Sequence, residues 1–487
     1  PKLLGKLTLL GENQPSRRYK ITKVVNIQSS HLRHIKKFIL DQARLKKWAG
    51  KVNIGYSAFH GAGRFSVPKI LKDIGFRRLK VIHSLNKTDG LFPCFLLEQQ
   101  PDPGDPVAAG IAREEFGREY GRRLLKHLDF LIGTDPDADR TGMIIKVPGK
   151  QQQVYKEILA RPPHLTLPKA LARTEANGDW LLLDADLAWT LLLWYRLEKK
   201  RLAGGDFSED FIVLNHCTSD ALAAVALKYG VGVVKTWVGF AMISEAIDRV
   251  WKGETLSPEQ QPHLIYQAIA MESRRVNVGA FEQSNGFSIF GGPPLPGERL
   301  GENGHVRDKD GTLAAVLLAE IAAYAKSEGL ELLELVDQKI YLDPQIGLFA
   351  TYYEPEPYWG QYEGLTGLSR KIEILKEVEK LSTQVKEGRQ INIGQYRVSR
   401  VETYRTGKYD RVHQWEGFPD EGIRFFFGEG GMNYLTVRPS GTSQCLRIHI
   451  QLKGEEPTEE NLLEKKKEIY IACKETVREF RRMIGLK

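Results

Sequence analysis

Apolar residues along the chain change spacing in a regular way. In residues 30–47, SHLRHIKKFILDQARLKK, Leu32, Ile35, Ile39 and Ala43 recur at three- and four-residue intervals, which predicts one amphipathic helix with Ser30 as its cap. KVNIGYSAF then reads as a strand, GAGR as a tight loop, SVPKILKDIGF as a helix and RLKVIHS as a strand. A Pro/Gly-rich connection leads to a long helix, VAAGIAREEFGREYGRRLLKHL, and to the strands DFLIGT and TGMIIKV. This alternation predicts an α/β layer with a largely parallel sheet.

The pattern restarts after about residue 165. LLLDADLAWTLLLWYRLEKKRL reads as a helix entered through Asp184 or Asp186, FIVLNHC as a strand, and TSDALAAVALKYG as a helix capped by Thr218 or Ser219. VGVVKTW, FAMISEAIDRVWKG, FSIFGG and DGTLAAVLLAEIAAYAKSEG complete a second α/β unit. Near residue 345 the style changes to a long helix, GLSRKIEILKEVEKLSTQVKEG, then strands around QYRVSRVETY, GIRFFFGEG, NYLTVRP and CLRIHIQLKG, and a last helix over 457–484. The expected organisation is a basic linker and helix at 1–48, α/β units at 49–165 and 166–345, and an α+β unit with an antiparallel sheet at 346–487.

Composition adds limits. An apolar content of 42% with 27% charged residues belongs to a soluble globular protein, and no run of about 18 apolar residues offers a membrane span. The four cysteines form no CxxC pair, which argues against a zinc site or a disulfide scaffold and fits a reducing cytoplasm. The first 50 residues hold 12 Lys/Arg against 2 Asp/Glu, while the whole chain carries +9, so the rest is nearly neutral. That basic end could bind nucleic acid or an anionic surface, but it lacks interleaved aromatics and reads better as a linker and a solvated helix face.

The strongest chemical signal is GTDPDADRTGM, residues 133–143, which sets Asp135, Asp137 and Asp139 at alternate positions after an apolar strand. Three carboxylates this close repel one another unless a cation sits among them, and all-oxygen ligands suit Mg²⁺. An EF-hand would need Gly where Arg140 stands and Glu where Lys146 stands; a D-x-D-x-T phosphatase loop would need Thr or Val in place of Asp139. Arg140 beside such a metal could grip a phosphate in two places, which points to phosphoryl chemistry.

Weaker signals accompany it. In VRPSGTSQCLRIHI, Arg438, Ser440, Gly441, Thr442 and Ser443 could wrap a phosphate, or form an ordinary hairpin turn. In AFEQSNGF, Glu282 and Ser284 could bind sugar hydroxyls or simply shape a turn. HVRDKDG ends at a helix N-terminus where Arg307 and Lys309 would favour an anion and Asp308 or Asp310 could cap. VKTWVGF puts Lys235 and Thr236 at a strand end. In YSAFHGAG, Gly61 and Gly63 read as turn geometry and His60 as a packed, hydrogen-bonded histidine.

In this order, from about Val52 to the C-terminus, these segments resemble the α-D-phosphohexomutase superfamily, the phosphoglucomutase/phosphomannomutase enzymes. YSAFHGAG resembles its Y-T-P-L-H-G-x-G, GTDPDADRTGM its metal loop, FEQSNGF its E-x-S sugar loop with Gln283 where Glu is common, and HVRDKDG and VKTWVGF its other domain-3 segments. VRPSGTSQCLRIHI resembles its phosphate loop, with Ser443-Gln444-Cys445 where many members carry Glu-Pro-Lys.

The resemblance implies two consecutive phosphohexomutase-type α/β domains and a C-terminal α+β domain. It implies reversible transfer of phosphate between the C1 and C6 hydroxyls of glucose or mannose, through an enzyme phosphoserine and a hexose 1,6-bisphosphate. Mg²⁺ would sit on Asp135, Asp137 and Asp139, with Arg140 catalytic. Lys235, Thr236, Glu282, Ser284, Arg307, Lys309 and the turn from Arg438 to Ser443 would hold the hexose phosphate.

The family's T-A-S-H-N-P-type serine loop has no counterpart. Ser30-His31 continues Leu-Arg. The expectation is therefore a chain lacking an N-terminal domain and inactive alone. The alternatives are an inactive relative that binds Mg²⁺ and sugar phosphate, or an anion- or nucleic-acid-binding protein acting through its basic end.

Overall fold

The computed structural model describes residues 27–96, 99–168, 171, 177–406, 418–440 and 444–486. Near-continuous apolar runs make strands covered on both faces. The first sheet has the order β2-β1-β3-β4-β5, from β1 (Asn53–Ser57), β2 (Arg78–Val81), β3 (Phe130–Thr134), β4 (Thr141–Lys146) and β5 (Trp180–Leu183). The second, β10-β9-β6-β7-β8, uses β6 (Asp210–Asn215), β7 (Gly232–Thr236), β8 (Ile265–Ile269), β9 (Val276–Glu282) and β10 (Gly286–Ser288).

Both sheets are mixed rather than largely parallel. In the first, β1 runs parallel to β2 and β3, but β4 is antiparallel to both β3 and β5. Connection length decides this: only residues 135–140 separate β3 from β4, far too few for a parallel crossover, so the pair must be a hairpin. Residues 283–285 force the same outcome between β9 and β10. β5 lies beyond the expected division at 165/166 yet completes the first sheet, with Leu181–Leu183 paired to Ile145–Met143.

The third sheet is wholly antiparallel, in the order β11-β16-β15-β14-β13-β12. Its strands are β11 (Phe349–Glu356), β12 (Asn392–Ile393), β13 (Tyr396–Tyr404), β14 (Gly422–Phe427), β15 (Asn433–Pro439) and β16 (Leu446–Lys453). The helices Gly364–Lys386 and Leu462–Met483 pack against it. One apolar core runs from Leu32 to Leu486 through all three sheets. No helix among the described residues is long and apolar enough to cross a membrane.

The helix expected over 30–47 is broken. It forms as Gln28–Ile35, a short 3₁₀ turn and Gln42–Trp48, with Ile39 extended at φ −65° and ψ 126°. A distant carboxylate causes the break: Leu40 and Asp41 donate their backbone N–H groups to Glu320 at 2.9 and 2.6 Å. Asp41 then caps the second helix by accepting from the Arg44 N–H. Ser30 is not a cap; it lies inside the first helix and donates to the Ile27 carbonyl. The long helix expected before β3 divides at Gly121, whose φ of +85° only glycine adopts cheaply, into Pro106–Tyr120 and Arg122–His127. Of the paired cap candidates, Asp184 and Ser219 cap their helices.

Candidate functional site

The aspartates occupy the hairpin between β3 and β4, where Thr134 pairs with Thr141. Carboxylate oxygens of Asp135, Asp137 and Asp139 lie within 4.8 Å of one another. Asp135 is 1% exposed, Asp137 is exposed, and Asp139 lies between. Asp135 accepts from the Arg140 backbone N–H at 2.9 Å and its Nε at 2.7 Å, while Arg140 Nη1 reaches Asp102 at 2.6 Å. Burial pushes the Asp135 carboxyl up to about 7 against the pull of Arg140. The Asp139 Oδ1 is buried with no hydrogen-bond partner, its nearest cation being Arg140 Nε at 3.7 Å. A desolvated carboxylate, an unsatisfied buried oxygen and an all-oxygen donor set fit a hard divalent cation, Mg²⁺ before any transition metal.

The floor of this hairpin is the YSAFHGAG segment. The Ala62 N–H donates to the Pro136 carbonyl at 2.8 Å, and a Cβ on Gly61 would lie 2.3 Å from the Pro136 Cα. A Cβ on Gly63 would lie 2.3 Å from Thr134 Oγ1, which itself bonds the Tyr56 hydroxyl. The two glycines are therefore required for close approach and not for turn geometry. The positive φ values fall on their neighbours, Phe59 (43°) and His60 (64°). His60 is buried and bonds the Lys87 carbonyl through Nδ1 at 2.9 Å, while its Nε2 is buried without a hydrogen-bond partner. Gly61→Ala is expected to cost about 1–3 kcal/mol, as overpacking does, and to weaken divalent-cation binding in parallel. Chemical denaturation with a Mg²⁺ titration of the same variant checks both.

Four contacts join the hairpin to the second unit. Arg140 forms an isolated antiparallel bridge with Gly286, and the Thr141 N–H donates to the Asn285 carbonyl at 3.2 Å. Lys309 Nζ lies 2.9 Å from Asp139 Oδ2; burial works against this ammonium, but Asp139 holds its pKa above the ordinary lysine value. The Gly311 N–H, at the start of the helix Gly311–Ser327, donates to the Ala138 carbonyl. The E-x-S residues sit on the β9–β10 hairpin beside this junction: Glu282 ends β9, buried, and Ser284 lies in the turn. Gln283 is fixed by Asn215 Nδ2 at 2.7 Å and by its own N–H to Thr218 Oγ1.

Not every candidate arrives there. Lys235 forms a buried ion pair with Asp220, which also accepts from Gln451, and Thr236 is fully buried with its hydroxyl on the Trp237 carbonyl. A strand-end position in the sequence does not reveal that Asp220, one helix away, claims the ammonium. Arg307 stacks over Trp251 at 5.2 Å. Arg438 lies one residue before the end of β15, buried; burial opposes its charge, but Glu421, Cys217 and Glu282 together keep its pKa raised. Ser440 follows, buried, its N–H on the Cys445 carbonyl; Gly441, Thr442 and Ser443 lie outside the described residues.

One residue went unread in the sequence. Arg447 on β16 stands directly opposite Arg438, and its Nε is buried without a partner. Like charges facing across a strand pair destabilise a sheet unless an anion lies between them. The signal was present: in VRPSGTSQCLRI the two arginines are placed nearly symmetrically about the turn.

Comparison with known proteins agrees with this geometry. Residues 29–149 match the family model described as phosphoglucomutase/phosphomannomutase, alpha/beta/alpha domain II, and residues 184–340 match domain III. A phosphoglucomutase of Staphylococcus aureus is 23% identical over 407 residues, covering 82% of this chain and 57% of its own length. A Haemophilus influenzae protein named "Probable phosphomannomutase" is 21% identical over 414 residues, covering 85% and 62%. The chain thus spans roughly 60% of the length of these relatives. The crystal structure of the Paramecium phosphoglucomutase pp63/parafusin shares the fold, with a TM-score of 0.53 at 16% identity over 95% of this chain and 64% of that one. With two family models covering more than half of its residues and matching the two mixed sheets that carry the aspartate and E-x-S hairpins, the chain belongs to the phosphoglucomutase/phosphomannomutase family.

Proposed function

We propose that the chain provides the metal, sugar and distal-phosphate parts of a phosphohexomutase, which interconverts hexose 1-phosphate and hexose 6-phosphate. The observation that carries this reading is the Arg140–Gly286 backbone bridge, which fastens the aspartate hairpin to the E-x-S hairpin. A cation on one and a sugar on the other would be neighbours.

Glu282 and Ser284 would take the sugar hydroxyls, with Gln283 held by Asn215 and Thr218 so that the turn cannot drift. Arg438 and Ser440, with Gly441, Thr442 and Ser443, would hold the phosphate that is not reacting, and Arg447 would share its charge. Mg²⁺ on Asp135, Asp137 and Asp139 would neutralise charge on the phosphoryl group in transit. Arg140 has three carboxylate partners, Asp135, Asp102 and, at 3.7 Å, Asp139, that fix its guanidinium plane beside that group. Lys309 would balance Asp139 and lie between metal and sugar. Lys235 and Thr236 take no part, since both are buried in their own contacts. A phosphoserine outside the described residues is the proposed donor, and a hexose 1,6-bisphosphate the intermediate that turns over between the two half-reactions.

The test is a coupled assay of the complete native protein on glucose 1-phosphate and mannose 1-phosphate, primed with glucose 1,6-bisphosphate and Mg²⁺. Turnover of either sugar, lost on chelation, is expected. Mg²⁺-dependent bisphosphate binding without turnover would favour the inactive relative.

A further inference from the structure

A second cluster of metal-type donors is centred on Asp310, the cap of the helix Gly311–Ser327. His31, from the helix Gln28–Ile35, and His305, from the loop before the helix Gly311–Ser327, both point Nε2 at the same oxygen, Asp310 Oδ2, at 2.9 and 2.7 Å. One ligand atom from each of the three residues lies within 4.8 Å of the other two. The other carboxylate oxygen of Asp310 is occupied: Oδ1 accepts the Thr312 and Leu313 N–H groups at 2.7 and 3.2 Å and fixes the carboxylate in the helix cap.

The surroundings hold the rings in place. His34 stacks on His305 with centroids 5.1 Å apart and planes 15° apart, and Phe38 meets both edge-on at 5.4 and 5.3 Å. The cluster does not satisfy itself: the Nδ1 of His305 and the Nε2 of His34 are buried with no hydrogen-bond partner. The His305 side chain is fully buried and that of Asp310 11% exposed, whereas His31 is 34% exposed, so the cluster is open to solvent on one side only.

We propose that His31, His305 and Asp310 form a transition-metal site, with Zn²⁺ the expected occupant. Two imidazole nitrogens and one carboxylate oxygen with an open position for water suit Zn²⁺, and are the wrong donors for Mg²⁺. Ligands around tetrahedral Zn²⁺ lie ~3.3 Å apart at bonds of about 2.0–2.1 Å. Each Nε2 needs to move off Asp310 Oδ2 by only about half an ångström to admit the ion. Both imidazoles would then keep a proton on Nδ1 alone, and any second proton would be released to solvent. The site differs in donor chemistry from the aspartate hairpin, although Lys309, the residue before Asp310, touches Asp139.

Its role follows from where the ligands come from. His31 precedes the first sheet, while His305 and Asp310 belong to the second unit. The ion would clip together segments more than 270 residues apart in sequence, the case in which closing a loop constrains the unfolded chain most. It would also pin the entry helix against the start of the helix that supports the aspartate hairpin.

The experiment is a Co²⁺ titration of the full chain, followed by visible absorption, with Zn²⁺ as competitor. A strong ligand-field band of a four- or five-coordinate nitrogen-containing site, displaced by Zn²⁺ and retained in Asp137→Ala, is expected. His31→Ala, at a partly exposed position that leaves the core intact, should weaken it by more than the roughly 10–100-fold seen for outer-shell partners. Zn²⁺ should also slow backbone hydrogen exchange over residues 28–35 in the native chain and not in His31→Ala. A weak octahedral spectrum that disappears in Asp137→Ala, or wild-type affinity in His31→Ala, would overturn the assignment.

Discussion

Replacing Asp137 with alanine is expected to abolish Mg²⁺ binding while leaving the metal-free fold as stable as before, or slightly more so. Asp137 is the exposed member of the aspartate trio, so its removal opens no cavity and relieves repulsion among three carboxylates. Asp135 would be a poor probe: it accepts two hydrogen bonds from Arg140 in a buried setting, and its loss would strand that guanidinium. The contrast is read by melting with and without Mg²⁺. At a concentration one hundred times the dissociation constant, a bound ion stabilises the native state by about 2.7 kcal/mol. The wild-type chain should show that rise and Asp137→Ala none. A Mg²⁺-induced shift surviving in the variant would mean that the ion sits elsewhere.

The second large effect concerns the facing arginines. Arg438→Ala is expected to weaken binding of a hexose bisphosphate by about 1.5–3 kcal/mol, the range for a hydrogen bond to a charged group, or roughly 10- to 150-fold. Arg447→Ala should act in the same direction, and the double variant should lose less than the sum, because both arginines face one anion across β15 and β16. In the ligand-free protein Arg447→Ala relieves the like-charge opposition, so its loss of affinity should not track a loss of stability; Arg438→Ala also removes a buried cation facing Glu421 and Glu282, so its folding is measured alongside. Calorimetric titration of the single and double variants decides it. Strict additivity would place the arginines on different groups, and unchanged affinity in both would remove the turn from the site.

How much of the molecule is legible in its sequence follows the range of each interaction. The aspartate loop is legible because its chemistry is local: three carboxylates at alternate positions after an apolar strand repel one another until a cation joins them. The E-x-S hairpin and the PSG turn were ambiguous alone, since turns use the same residues. Order along the chain made them a set, and backbone contact between Arg140 and Gly286 makes two of them neighbours. Features set by distant partners were not legible. Glu320 breaks the helix at Ile39 from some 280 residues away, and Asp220 removes Lys235 from the site. Strand β11 was missed because Glu354 and Glu356 look like loop residues; both pair with Arg481 on the last helix, at 2.9 and 2.5 Å. The need for glycine in YSAFHGAG is not legible either, because the surface that excludes a side chain there is the aspartate hairpin itself.

Titrating glucose 1,6-bisphosphate into the full chain with and without Mg²⁺, by calorimetry, tests most directly whether the three hairpins form one site. Binding that tightens with Mg²⁺, loses that gain in Asp137→Ala and weakens in Arg438→Ala is the expected result. Binding indifferent to Mg²⁺ and to both substitutions, or no binding at all, would contradict it.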